Sequence, residues 1–228
     1  MKFLFLFVVV GLLSVTSVGV GQFAISFGSN MLPFSGNTEI WQDEDQEEDD
    51  HLLGGAVLRR PTQAVPKDPF LVTSVLTDDR YPPFPKYLSS CGIVLAATEK
   101  VPDEFLTLVG STINEIFARR DGLDLASQRS LVVDLHAYGA LLPVPITERS
   151  LERLMRREEA AVDRLRQQYS ICDIIMAEVP DGQVMEVVEH VLHTVTDVGL
   201  HYRFPKEWGL SRDSELWKAM QLAIEKGF

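Results

Sequence analysis

The chain has 228 residues, with 33 acidic side chains, 21 basic ones and a formal net charge of −12. This balance, without any basic face, excludes nucleic acid as a partner on electrostatic grounds. The length is sufficient for one domain with a sizeable core and a tail.

The first 21 residues have the pattern of a secretory signal peptide. Lys2 precedes an apolar run that begins at Phe3, and small residues follow at Ser17, Gly19 and Gly21. The run is shorter than the ~20 residues needed to cross a bilayer. We therefore interpret residues 1–21 as a cleaved signal rather than an anchor. The pattern predicts a secreted, extracellular protein with no membrane segment in its mature form.

A dense acidic run lies in the segment 22–60, which we predict to be disordered. Residues 39–50 carry eight acidic side chains and no basic one, and like-charge blocks of this kind are usually solvated. Dense carboxylates also suit weak calcium binding, or contact with an extracellular matrix or a mineral surface. The candidate contact residues are Asp43, Glu44, Asp45, Glu47, Glu48, Asp49 and Asp50.

The rest of the chain changes from a proline-rich to a globular pattern. Residues 61–86 hold six of the twelve prolines, which predicts an extended lead-in with one edge strand at 69–76. From residue 87, strand-like and helix-like patterns alternate. They predict an α+β domain over 87–228, with a small sheet of three to four strands packed with three to four helices.

Apolar runs predict strands over 91–98, 130–139 and 171–179. Helical periodicity and end signals predict four helices. These are a helix from Pro102 to the Asp121-Gly122 stop, one over 148–169 capped by Thr147, one over 184–198 stopped by Gly199, and one over 213–226.

The two cysteines are Cys91 and Cys172. In the oxidising compartment that a signal peptide implies, we expect them to form one disulfide. Two cysteines are too few for a four-ligand zinc knuckle.

The helix predicted over 184–198 has one apolar face and one polar face. At ~100° per residue its valines share one side. The opposite side carries Glu186, Glu189, His190, His193 and Asp197.

This polar face is a candidate metal site. Glu189 and His193 are four residues apart, and His190 and His193 are three apart, which are spacings by which a helix supplies two ligands to one zinc ion. Asp197 is placed to orient a histidine as a hydrogen-bond acceptor. A further ligand is expected from His201 or His136, and less so from Glu207 or Glu215. The alternative is a solvated helix face without metal.

The order of the elements, together with the stretches VPDEFLTLVGSTINEIFA and LWKAMQLAIEKG, resembles that of zincin-like metallopeptidase domains over roughly residues 88–228. In that family a helix carries His-Glu-x-x-His, and Gly-Leu and a final amphipathic helix follow. The resemblance implies that His193 is a zinc ligand. Glu189 stands where the first histidine belongs, and His190 stands where the general-base glutamate belongs. His190 would therefore have to act as the base.

Three hypotheses follow. The leading one is a secreted, acidic, matrix- or mineral-associated protein whose zincin-like domain lacks standard peptidase activity, with zinc as a candidate ligand of the domain. The second is an active metal-dependent hydrolase with a rearranged site. The third is a secreted globular domain without a metal site.

Overall fold

A computed structural model of the chain describes residues 56–178 and 184–227. Both ranges belong to one compact unit, Asp50–Phe228. The predicted signal peptide, the acidic run and most of the segment predicted to be disordered lie outside the described residues. Within the described ranges, each helix is too short or too polar to cross a bilayer.

Four strands form one mixed sheet in the order β1-β2-β3-β4. The strands β1 (Leu76–Tyr81), β2 (Phe84–Ser90) and β3 (Ile93–Ala97) are antiparallel neighbours. The fourth strand, β4 (Leu141–Val144), pairs with β3 in parallel. With the helices that cover it, the sheet makes an α+β fold, which confirms the predicted class.

The predicted lead-in contributes to this sheet. Both β1 and the first residues of β2 lie within 61–86. The edge strand predicted over 69–76 is wrong in position, because this segment forms one isolated bridge, from Val72 to Ser90, and β1 begins only at Leu76.

The helices alternate with and follow the strands. The predicted start of the first helix is confirmed, because it begins directly after Pro102, but it ends at Ile116 and not at the predicted Asp121-Gly122 stop. The predicted last helix is confirmed. It is capped by Ser214, whose side chain accepts a hydrogen bond from the backbone of Trp217. The helices are α1 (Asp103–Ile116), α2 (Leu125–Ala137), α3 (Glu148–Arg157), α4 (Glu159–Gln168), α5 (Val184–Thr194), α6 (His201–Arg203), α7 (Pro205–Trp208) and α8 (Glu215–Glu225).

Apolar side chains cover both faces of the sheet. On one face α1, α2 and α5 bury a large cluster that includes Leu95 and Leu142. On the other face α3 and α4 pack around Tyr87 and Leu141. Because successive residues of a strand point to opposite faces, the neighbours Leu141 and Leu142 belong to different clusters. Burial on both faces explains why β3 and β4 are almost continuously apolar.

The strand predicted over 130–139 is wrong, because these residues lie mainly in α2. Asp124 caps this helix by accepting hydrogen bonds from the backbone of Ala126 and Ser127. Its fully buried residues, Val132 and Leu135, are three apart, which is a helical spacing. A short apolar run does not by itself distinguish a strand from a buried helix.

Two further helix predictions need correction. The helix predicted over 148–169 is two helices, α3 and α4, because Glu158 departs from helical geometry at φ −119° and ψ 28°. Thr147 caps α3 as predicted. Gly199 does not stop the histidine-bearing helix. The chain continues through a π-helical turn, Val195–Leu200, into α6. A Cβ atom on Gly199 would lie 2.6 Å from Leu131 Cδ1, so this glycine permits close packing instead.

The strand predicted over 171–179 is wrong for the residues that the structure describes there, 171–178. This segment runs beside β4 but bonds to it only near its two ends. Leu141 donates its N–H to the Ser170 carbonyl, and the next bond is from the Ile175 N–H to the Pro143 carbonyl. A regular parallel ladder would use an N–H at position 143, and proline has none. The chain therefore bulges away from β4 between Ile171 and Ile174, and Asp173 lies in this bulge.

Candidate metal centre

Three side chains from two separate segments converge at one end of α5. They are Asp173, His190 and His193, and one potential ligand atom of each lies within 4.8 Å of the other two. The Nδ1 atom of His193 is 2.6 Å from Asp173 Oδ2, and the Nδ1 atom of His190 is 2.9 Å from the same oxygen. Two imidazole nitrogens thus meet at a single carboxylate oxygen.

The apolar face of α5 packs against the core, so its two histidines lie on the opposite side of the helix. The core beneath the sheet buries Val187, Val191 and Val195, which belong to the apolar face that the sequence predicts. This anchoring turns His190 and His193 toward the bulge, where they are about one-fifth exposed. The two histidines therefore lie in a partly buried contact, while Glu186 on the same side of the helix stays 38% exposed.

The contact between Asp173 and His193 shifts the pKa values of both side chains. The hydrogen bond to Asp173 raises the pKa of His193 above its usual range, although burial acts in the opposite direction. Burial would raise the pKa of Asp173, but the hydrogen bond from His193 and the nearby ring of His190 together hold it well below the usual range. The carboxylate therefore carries its charge at neutral pH.

His190 Nδ1 is in a different situation from His193 Nδ1. It is buried and makes no hydrogen bond in spite of the 2.9 Å distance to Asp173 Oδ2. A buried ring nitrogen without a hydrogen bond costs stability unless something binds its lone pair. A metal ion held between His190, His193 and Asp173 would satisfy it.

Asp197 lies near enough to His193 and Asp173 to interact with their charges, and its predicted role in orienting a histidine stays a prediction. Burial raises the pKa of Asp197 to about 6, while attraction to His193 lowers it and repulsion from Asp173 raises it further. The π-helical turn begins directly after Thr194 and carries Asp197 as its third residue. Insertions of this kind are frequent at functional sites.

The structure does not bring the other candidate ligands into the group. His201 is buried, its Nδ1 accepts a hydrogen bond from the backbone N–H of Leu210, and burial lowers its pKa. His136 Nε2 lies 2.9 Å from the carbonyl oxygen of Pro69. Glu215 pairs with Lys218 on α8. Glu189 and Glu207 are also outside the group that converges on Asp173 Oδ2.

Asp173 is the member of the group that sequence reasoning missed. The strand predicted over 171–179 includes this residue, and the sequence carries one signal for it: a single carboxylate interrupts the apolar run ICDIIM. A charged side chain in such a run must be paired when it is buried. A histidine-bearing helix follows in the sequence and is a natural source of that pairing.

The predicted disulfide is also corrected, because both cysteines are free thiols. Cys91 lies in the turn between β2 and β3, and its Sγ atom is 3.9 Å from both the Phe70 carbonyl oxygen and Asn114 Oδ1. Cys172 lies in the bulge near Asp197. The two sulfur atoms therefore have different surroundings, and burial raises the pKa of both thiols.

Comparisons of the chain with protein families, with curated proteins and with solved structures gave no match. The class of protein is therefore defined by the structure alone: an α+β domain that holds two histidines and one aspartate within metal-ligand distance of one another. Two imidazole nitrogens and one carboxylate oxygen are donors that divalent transition metals accept.

Proposed function

We propose that this protein is a secreted, acidic metal-binding protein whose domain holds one zinc ion between Asp173, His190 and His193. One observation carries the proposal: the Nδ1 atoms of both histidines lie within 2.9 Å of the same oxygen, Asp173 Oδ2. Secretion follows from the signal peptide predicted over residues 1–21. The zincin-like resemblance remains a prediction, and its general-base position falls on His190, a metal donor in this proposal.

The donor set favours zinc over calcium or magnesium. Zinc accepts imidazole nitrogen and carboxylate oxygen at ~2.0–2.2 Å, so tetrahedral donor atoms lie roughly 3.3 Å apart. The observed separations of 2.6 and 2.9 Å need to open by less than an ångström. Calcium and magnesium prefer six or more oxygen donors, and a group with two imidazoles does not provide them.

Zinc titration of the full mature chain by calorimetry tests the proposal. We expect one site per domain, and Asp173→Ala and His193→Ala should each weaken it by at least about tenfold, since a ligand is lost. Asp163→Ala is the matched control, because Asp163 is an exposed acid on α4. The acidic run stays intact in every variant, so its own binding is constant. Equal affinity in the wild type and both ligand variants would refute the zinc site.

A second candidate function is that of a metal-dependent hydrolase. The number of metal-donor side chains in the group, three, favours it. Three protein ligands leave one coordination position for water or substrate, as in catalytic zinc sites. We expect zinc binding without cleavage, because the position of the family's general base is occupied by a metal donor. Zinc-dependent cleavage of a peptide library, lost in His193→Ala, would overturn this expectation and support the hydrolase.

The acidic run supports a separate proposal of contact with matrix or mineral. Its eight acidic side chains within residues 39–50 suit weak, many-site calcium binding. Deletion of residues 39–50 should abolish binding to calcium or to carbonate mineral, while zinc binding stays unchanged. Undiminished mineral binding after the deletion would contradict the proposal.

A further inference from the structure

The two nitrogens of His190 face two different carboxylates. Its Nδ1 faces Asp173 Oδ2, and its Nε2 lies 3.9 Å from Glu186 Oε1, one helical turn earlier on α5. Both glutamate and histidine are partly exposed, at 38% and 22% of their side-chain surface. The distance exceeds a hydrogen bond, but a small rotamer change or one bridging water closes it.

Metal binding through Nδ1 imposes a condition on the other nitrogen. A neutral imidazole carries its single proton on one nitrogen, so a ring that offers the Nδ1 lone pair must hold the proton on Nε2. A carboxylate close to Nε2 stabilises that tautomer by accepting its hydrogen bond, and it also fixes the plane of the ring. Glu186 is placed to do this for His190.

We propose that Glu186 is a positioning residue that holds His190 in the Nε2–H tautomer, so that His190 binds the metal through Nδ1. The inference rests on the proposed zinc site. Glu186 lies in the first turn of α5, four residues before the first histidine of this helix. The first-turn location of Glu186 has a separate effect, because acids there stabilise any helix through its dipole. The test must separate these two roles.

The comparison of Glu186→Ala with Glu159→Ala separates the effect on His190 from the effect on the helix dipole. Glu159 occupies the first turn of α4 and is not a member of the metal group, so its removal reports the loss of a first-turn acid without any change beside His190. Glu186→Ala should lower zinc affinity by about 10- to 100-fold, the usual cost of losing the acceptor behind a metal-bound histidine. Glu159→Ala should leave zinc affinity unchanged. Glu186→Gln keeps an acceptor oxygen without the charge, so its affinity should stay closer to that of the wild type.

A long-range ¹H–¹⁵N spectrum of the zinc-loaded protein gives a readout that a merely structural role would not move. We expect a protonated Nε2 and a metal-bound Nδ1 for His190. Zinc bound through Nε2 of His190 would overturn the inference, as would an affinity of Glu186→Ala equal to the wild type. Either result leaves the zinc site itself standing. A wild-type chain that binds no zinc overturns the proposed function together with this inference. If Glu186→Ala fails to fold, Glu186→Gln and the spectrum still decide.

Discussion

His193 Nδ1 and Asp173 Oδ2 lie 2.6 Å apart, although the two residues are twenty positions apart in the sequence. The contact joins α5 to the segment between Ile171 and Ile174, which bulges away from β4. Both side chains are mostly buried, and the pKa of His193 is raised while that of Asp173 is lowered. In the absence of metal, this pair therefore stabilises the fold as an ion pair.

The first prediction concerns His193→Gln in zinc-free protein. The variant should lose about 1.5–3 kcal/mol of unfolding free energy, the usual value of a hydrogen bond to a charged group. Because folding raises the pKa of His193, its contribution to stability is complete below the pKa of the unfolded chain, near 6.5. This contribution is lost as pH rises through the pKa of the folded chain. Because folding lowers the pKa of Asp173, its contribution to stability is complete above about pH 4, the pKa of the unfolded chain. This contribution is lost as pH falls through the pKa of the folded chain. The deficit should be greatest between about pH 4 and 6.5.

Urea denaturation with a chelator at several pH values measures this deficit. His136→Gln is the control, and the pH dependence of its stability should have the opposite sign, because burial lowers the pKa of His136. Its stability difference from the wild type should narrow as pH falls, whereas that of His193→Gln should widen from pH 9 to pH 6. A deficit of His193→Gln that is independent of pH would contradict the ion pair.

The second prediction concerns the choice of metal. Zinc at about 100 times its dissociation constant should add about 2.7 kcal/mol of stability, because it binds only the folded chain. Magnesium should add little, since it needs near-octahedral oxygen coordination. Thermal unfolding in each metal, for the wild type and Asp173→Ala, measures the difference. A magnesium effect as large as that of zinc, and equal in Asp173→Ala, would show that metal acts elsewhere on the chain.

The third prediction concerns the cysteines. A chain denatured without reductant should present two reactive thiols to a thiol reagent, because Cys91 and Cys172 are unpaired. In the native chain both should react slowly, since burial raises the pKa of each thiol and keeps it protonated. Cys91→Ser should present one thiol after denaturation. If the wild type presents none until a reductant is added, the two sulfurs are paired after all.

The fourth prediction concerns the two-residue turn between β2 and β3. Cys91 and Gly92 both have positive φ, at 47° and 86°, as a two-residue hairpin turn of type I′ requires. A Cβ atom on Gly92 would lie 2.8 Å from Leu135 Cβ and from the Val132 carbonyl oxygen, both in α2. Gly92→Ala should therefore combine backbone strain with a steric clash.

Gly122→Ala separates these two costs, since Gly122 also has φ 86° but nothing lies within 4 Å of its position. The control should lose about 1–2 kcal/mol from backbone strain alone. Gly92→Ala should lose a further 1–3 kcal/mol or so from overpacking. Chemical denaturation of the two variants measures the difference. Equal losses would mean that α2 moves aside without cost.

The fold class and several elements could be predicted because their signals are local. Thr147 and Ser214 cap the helices that follow them, and the valines of α5 repeat at a helical spacing. The predictions that were wrong concern short apolar runs, such as residues 130–139, because helix and buried strand bury the same residue types. The broken helix at Glu158 has no signal in the sequence that we can identify.

The sequence by itself determined one side of the candidate site. The spacing of the valines turns His190 and His193 to a common face, since helix geometry depends only on neighbouring residues. Only the tertiary structure decided what those histidines meet. Pro143 has no N–H to continue the ladder, so the neighbouring chain bulges and carries Asp173 to the histidines. That partnership depends on which segment lies beside β4, which no local pattern in the sequence encodes.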